Sequence, residues 1–112
     1  MGISTHILDT ASGRPATGVP ITLARMTNDE WSKINDAKTD QDGRCKHLLP
    51  STQILQPGTY RIRFETAVYY KQRQLDGLYP HVEIVFTVAD GEQHYHIPLL
   101  LTANGYTTYR GS

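Results

Sequence analysis

The chain has a single cysteine, Cys45, so no disulfide can form within it and the fold must rest on packing. It also lacks an excess of charge of either sign: Lys plus Arg and Asp plus Glu number 11 each. That balance leaves no electrostatic footprint for nucleic acid or an anionic membrane, and it does little to oppose self-association. No apolar run approaches the ~20 residues that a membrane-spanning helix needs. No positively charged N-terminal region followed by an apolar run marks a secretory leader. A soluble, cytoplasmic protein with neither a nucleic-acid nor a membrane partner is expected. Repeats, low-complexity tracts and linkers are missing too, and 112 residues suit one domain spanning 1–112. A domain of this size buries roughly two-thirds of the surface of its unfolded chain. Little is left for a deep private pocket, so a site shared between subunits is worth considering from the start.

What the chain does have is turn signals at short intervals: Ser12-Gly13-Arg14-Pro15, Gly18-Val19-Pro20, Asp42-Gly43, Gln56-Pro57-Gly58, Tyr79-Pro80, Asp90-Gly91 and Asn104-Gly105. Short β-type segments lie between them, a pattern that suggests an all-β sandwich or barrel. Strands are expected over Ile3–Leu8, Val19–Asn28, Trp31–Thr39, Arg44–Leu49, Gly58–Glu65, Val82–Ala89, His94–Thr102 and Tyr106–Arg110. The alternation is clearest in Gly58–Glu65, where Tyr60, Ile62 and Phe64 face one way and Arg61, Arg63 and Glu65 the other. Thr66–Gln74 breaks the pattern, carries no Gly or Pro, and is expected to form a helix of about two turns. Thr66 is its expected cap and Asp76-Gly77 its stop.

Five histidines are the unusual part of the composition, because their unperturbed pKa lies close to neutral pH. His6 shares one face of the first strand with Leu8, and Ile7 takes the other. Taken alone, His6 reads as a histidine on a solvent face, and His47 and His81 as surface residues. His94 and His96, two apart in His94-Tyr95-His96-Ile97-Pro98, point to one face of a strand. A His-x-His pair is a common metal arrangement, with His6 a conceivable third ligand. No Cys, Asp or Glu stands at a convincing spacing around it, however, so no metal is expected. Pro98 is odd in a strand this apolar, since proline belongs on edge strands or beside bulges. It could set the His face on a channel wall. Arg44, after Asp42-Gly43, is by itself only a post-turn arginine, though its planar guanidinium can bind adjacent carbonyl oxygens and ring nitrogens in a bidentate way. Cys45 reads as a small buried filler rather than a nucleophile.

Together, His6 in Thr5-His6-Ile7-Leu8-Asp9, Gly43-Arg44, His94-Tyr95-His96-Ile97-Pro98-Leu99-Leu100-Leu101 and the final Tyr109-Arg110-Gly111-Ser112 resemble the signature segments of the 5-hydroxyisourate hydrolases, the enzyme branch of the transthyretin-like family. Asp9 to Ala16 also matches the turn after the first strand. The resemblance covers nearly the whole chain, with Thr102-Ala103-Asn104-Gly105 departing mildly where relatives often have Ser-Pro. It implies a transthyretin-like (prealbumin) β-sandwich of about eight strands and one short helix. It implies a homotetramer in which two dimers enclose a channel, with active sites at the dimer–dimer interface. It implies hydrolysis of 5-hydroxyisourate to 2-oxo-4-hydroxy-4-carboxy-5-ureidoimidazoline in urate breakdown, without a cofactor. Carried over residue by residue, the site is His6, Arg44, His96, Tyr109 and Ser112. His6 is favoured as the main base and His96 as its partner; Arg44 would hold substrate carbonyls and favour the oxyanion. Tyr109 and Ser112 would position substrate, and the Ser112 carboxylate would anchor the chain end. Two other readings stand beside this one: a small-ligand carrier of the transthyretin type, which lacks the His, Arg and Tyr-Arg-Gly-Ser set, and a β-sandwich interaction module.

Overall fold

Period-two alternation builds most of this molecule. In the computed structural model, which describes residues 2–112, nine strands and one helix follow in the order β1 (Ile3–Asp9), β2 (Arg14–Pro15), β3 (Pro20–Thr27), β4 (Glu30–Lys38), β5 (Arg44–Cys45), β6 (Gly58–Phe64), α1 (Thr66–Gln72), β7 (Val82–Val88), β8 (Tyr95–Thr102) and β9 (Gly105–Thr108). They form two sheets. One has the order β2-β1-β8-β9, with β5 also paired to β1; the other runs β4-β3-β6-β7. All pairs are antiparallel except β1 with β8, which run parallel in a register that sets Ser4 beside His96 and His6 beside Pro98. The expected all-β sandwich with one short helix is what forms.

The core lies between the sheets. Ile3, Ile7, Ile97, Leu99 and Leu101 enter it from one side, and Ile21, Leu23, Tyr60, Ile62, Phe64 and Val82 from the other. Burying each such side chain contributes about 1.5–3 kcal/mol. The alternate residues of β1 and β8, among them Ser4, His6, His96 and Leu100, are thereby turned to the outer face of their sheet.

Several boundaries differ from expectation for identifiable reasons. β5 stops at Cys45 rather than Leu49. Leu48 and Leu49 are both buried, which an alternating strand over a one-sided core cannot achieve, and the Leu48 amide donates to the Ile3 carbonyl as the chain turns. Thr66 does not cap α1. It is buried inside the helix and its hydroxyl donates to the Tyr79 carbonyl, while Glu65 occupies the cap position without a side-chain bond. The helix ends at Gln72 with Arg73 as its C-cap, ahead of Asp76-Gly77, because Gln74 takes the left-handed conformation (φ 58°) that commonly ends helices. Tyr69 fastens α1 to the opposite sheet. Its hydroxyl donates to the buried Asp9 carboxylate at 2.8 Å, and burial, with that bond, pushes its ionisation well above the usual range.

Pro98 is not on an edge: β8 lies between β1 and β9. The β8–β9 ladder runs from Thr102↔Gly105 to Leu99↔Thr108 and returns only as an isolated bridge between His96 and Gly111. Pro98 sits in that interruption, where its missing N–H leaves no ladder bond broken. This is also why β9 ends at Thr108 rather than Arg110.

Candidate active site

The site forms on the outer face of the β1–β8 sheet. β5 pairs with β1 so that Arg44 stands opposite His6. The turn before it is built for this: the Asp40 carboxylate accepts the backbone amides of Asp42 and Arg44 at 2.8 and 3.0 Å. Gly43, at φ 72°, passes so close to β1 that a Cβ would lie 2.5 Å from the Ile7 carbonyl oxygen. Only glycine fits that position. The same glycine's carbonyl accepts the Ile7 amide at 2.8 Å, tying the loop down where Arg44 leaves it.

A shallow depression of about 190 Å3 is lined by Ser4, Thr5, Arg44, Lys46, His94, His96 and Ser112. Three of the five expected site residues, Arg44, His96 and Ser112, thus meet in one place. His6 lies at its margin, half-buried between Arg44 on β5 and Pro98 on β8. Tyr109 does not join them. It is 56% exposed and lines a separate, mainly apolar depression with Ile84, Phe86, Tyr95 and Arg110. Ser4 and Lys46 were not singled out from the sequence, yet a simple signal would have found both. Ser4 lies two residues from His6 on the same face of β1, and Lys46 lies two residues after Arg44, just past the end of β5.

His96 is the most constrained of the histidines. Its Nδ1 lies 2.8 Å from Ser4 Oγ, whose oxygen is also 2.8 Å from His94 Nε2. Burial pushes the His96 pKa below the usual 6.5, and the positive charge of Arg44, with lesser help from His6 and His94, acts the same way. The ring is therefore neutral at pH 7 and able to accept a proton. Its face is covered by Gly111, where a Cβ would come within 2.5 Å of His96 Cδ2. The Gly111 amide donates to the His96 carbonyl at 2.8 Å. Arg110 holds the same segment: its guanidinium lies 4.2 Å from the Tyr95 ring centroid and donates to the Gln93 side chain at 2.8 Å. Arg110 and Gly111 thus both anchor the last segment.

No group of three His, Cys, Asp or Glu at metal-binding spacing exists among the described residues, and His6 does not complete one with His94 and His96. Cys45 is half-buried against the core, and burial raises its thiol pKa, which keeps it protonated and suits a filler. His47 is exposed and does not line the depression, and His81 lies beside Arg63 at 3.3 Å in the other sheet's neighbourhood. A larger depression of about 480 Å3 around Arg25, Ile34 and Tyr60 contains no histidine. Its arginine is already engaged by the Gln56 side chain and the Pro57 carbonyl.

The profile of the HIUase/Transthyretin family matches residues 3–111. The chain belongs to this family. A 5-hydroxyisourate hydrolase of Mus musculus is 46% identical over 98% of this chain and 94% of its own length. Among solved structures, the 5-hydroxyisourate hydrolase of Klebsiella pneumoniae superposes with a TM-score of 0.87 at 31% identity, covering all of both chains. Sea bream transthyretin in complex with thyroxine superposes with a TM-score of 0.91 at 30% identity, over 99% of this chain and 95% of that one. The family's fold thus occurs in a hydrolase and in a thyroxine-bound transthyretin, and shape alone does not separate the two. No helix among the described residues is long and apolar enough to cross a membrane.

Proposed function

We propose that this protein is a 5-hydroxyisourate hydrolase whose site is the outer face of the β1–β8 sheet. One observation carries the reading: a neutral, Ser4-bound His96 and the cationic Arg44 line one depression. A carrier of apolar ligands has no use for that combination, whereas amide hydrolysis needs both halves of it. His96 takes a proton from water as the water oxygen bonds to the carbonyl carbon of the cyclic amide. Arg44 stabilises the oxyanion. The C–N bond then breaks, and the proton passes from His96 to the departing nitrogen, opening the ring to 2-oxo-4-hydroxy-4-carboxy-5-ureidoimidazoline. His96, rather than His6, is the better base, because its Nδ1 is held by Ser4 and its environment keeps it neutral. His6 faces Arg44 from the neighbouring strand and helps to orient substrate.

The depression is shallow, and a small-molecule site buries most of its ligand. A second surface must close it, which supports a homotetramer with sites between two dimers. Tyr109 would reach substrate only across such an interface, and Ser112, lining the depression, would position substrate directly. The test is spectroscopic. Hydroxyisourate generated from urate should lose its ultraviolet absorbance faster with the protein present. Decay at the spontaneous rate would exclude the hydrolase reading and return the carrier to first place.

A further inference from the structure

Ser4 joins His96 to a second imidazole, that of His94. Ser4 is 8% exposed, and its single hydroxyl lies 2.8 Å from one nitrogen of each of two imidazoles. A hydroxyl donates only once. The three groups therefore have three possible arrangements. If both rings donate to Ser4, its proton has no acceptor, and an unmatched buried O–H costs about 1–3 kcal/mol. If Ser4 donates to His96 Nδ1, the His96 proton sits on Nε2, the ring nitrogen left for the depression that Arg44 lines. An N–H then points toward a site already holding a guanidinium, and the base has no lone pair to offer. If Ser4 donates to His94 Nε2 instead, it accepts from His96 Nδ1–H, and the Nε2 lone pair of His96 is free. The Arg44 cation favours a lone pair over an N–H, which selects this last arrangement.

We propose that Ser4 and His94 act as a positioning relay that fixes the tautomer of His96, keeping the proton on Nδ1 and presenting Nε2 as the base. The proposal rests on the hydrolase reading for its kinetic consequence, but not for the tautomer itself. The geometry around the relay agrees with it. Ser4 stands beside His96 in the parallel β1–β8 register, so the strand pairing itself sets the spacing. The His94 ring lies against Gly2, where a Cβ would come within 3.3 Å of His94 Nδ1, as the His96 ring lies against Gly111. His94 is exposed, so a proton on its Nδ1 is open to solvent while Nε2 accepts from Ser4. When His96 Nε2 takes a proton from water, Nδ1–H still donates to Ser4. No hydrogen bond has to be remade during the step, which is what preorganisation requires.

The experiment pairs kinetics with two-bond 1H–15N spectra of the imidazoles, recorded on the folded protein well above the histidine pKa. The wild type should show His96 as the Nδ1–H tautomer. Ser4→Ala and His94→Ala should each move His96 toward the Nε2–H form and lower kcat roughly 10–100-fold, the usual cost of losing a group that orients a functional histidine, with KM little changed. Ser4→Thr, which keeps the hydroxyl, should restore both readouts. A wild-type His96 protonated on Nε2 overturns the relay. So does a His94→Ala variant that loses activity without moving the tautomer, since His94 would then act by touching substrate. If the wild type does not hydrolyse hydroxyisourate at all, the functional reading fails while the spectra still decide the tautomer.

Discussion

His96 and Ile97 are neighbours in sequence and live in different worlds. Ile97 points into the core between the sheets; His96 points to the outer face, toward Ser4 and the Arg44 depression. The same division separates Ser4 and His6 from Thr5 and Ile7 on β1. One sheet thus carries the core on one side and the proposed site on the other, alternating residue by residue. The outer side is built from groups that are costly to gather: three histidines and two cations around a shallow hollow. The inner side holds them rigidly enough for the gathering to be useful.

The two faces should come apart under substitution. Ile97→Ala should lose about 2–5 kcal/mol of stability, read by urea denaturation, while the folded protein keeps its dependence on His96. Arg44→Ala should do the reverse. It removes the oxyanion partner and should lower kcat/KM by about 10²–10³, with an unfolding midpoint near that of the wild type. Gly111→Ala sharpens the comparison, because its Cβ would collide with the His96 ring. A shift of the ring by a fraction of an ångström should cost roughly tenfold or more in kcat, with a smaller fall in Tm. An Ala variant as active as the wild type would show that Gly111 does not set the ring.

The smallest effect is in pH. The His96 pKa lies below 6.5, so the base form persists below that pH. The acid limb of kcat/KM, which reports the free enzyme, should have its midpoint below 6.5, and activity should be lost as pH falls through it. The limb of Arg44→Ala should move upward, as the second cause of the depression is removed. Because the unfolded chain takes up this proton first, folding stability should also decline as pH falls through the interval between the two values. A wild-type limb above 6.5 would mean that a different group titrates.

Much of the fold was legible because alternation is a local property. Tyr60, Ile62 and Phe64 against Arg61 and Arg63 announce β6 without help from the rest of the chain. Arg14–Pro15 was not legible as a strand, since two residues have no period; only pairing with Leu8 and Asp9 makes it one. Thr66 misled because a good capping residue was needed elsewhere, on the Tyr79 carbonyl. At the site, the resemblance named Arg44, His96 and Ser112, and all three line one depression. It also named Tyr109, which in the single chain lines a separate depression, because the chain leaves the β8–β9 ladder at Pro98 and Tyr109 leaves with it. Ser4 is legible as a same-face neighbour of His6, but its bonds to His94 and His96 depend on the parallel register of two strands some ninety residues apart, which no local pattern reveals.

The central claim is that the outer face of the β1–β8 sheet hydrolyses hydroxyisourate through His96. Its most direct test follows the ultraviolet absorbance of freshly formed hydroxyisourate with the wild type and with His96→Ala side by side, checking that both have the same unfolding midpoint. The prediction is rapid decay with the wild type and a rate lower by about 10²–10⁴ with the variant, the range that general-base catalysis supplies. A wild type that leaves the spontaneous rate unchanged, or a variant that matches the wild type, would contradict it.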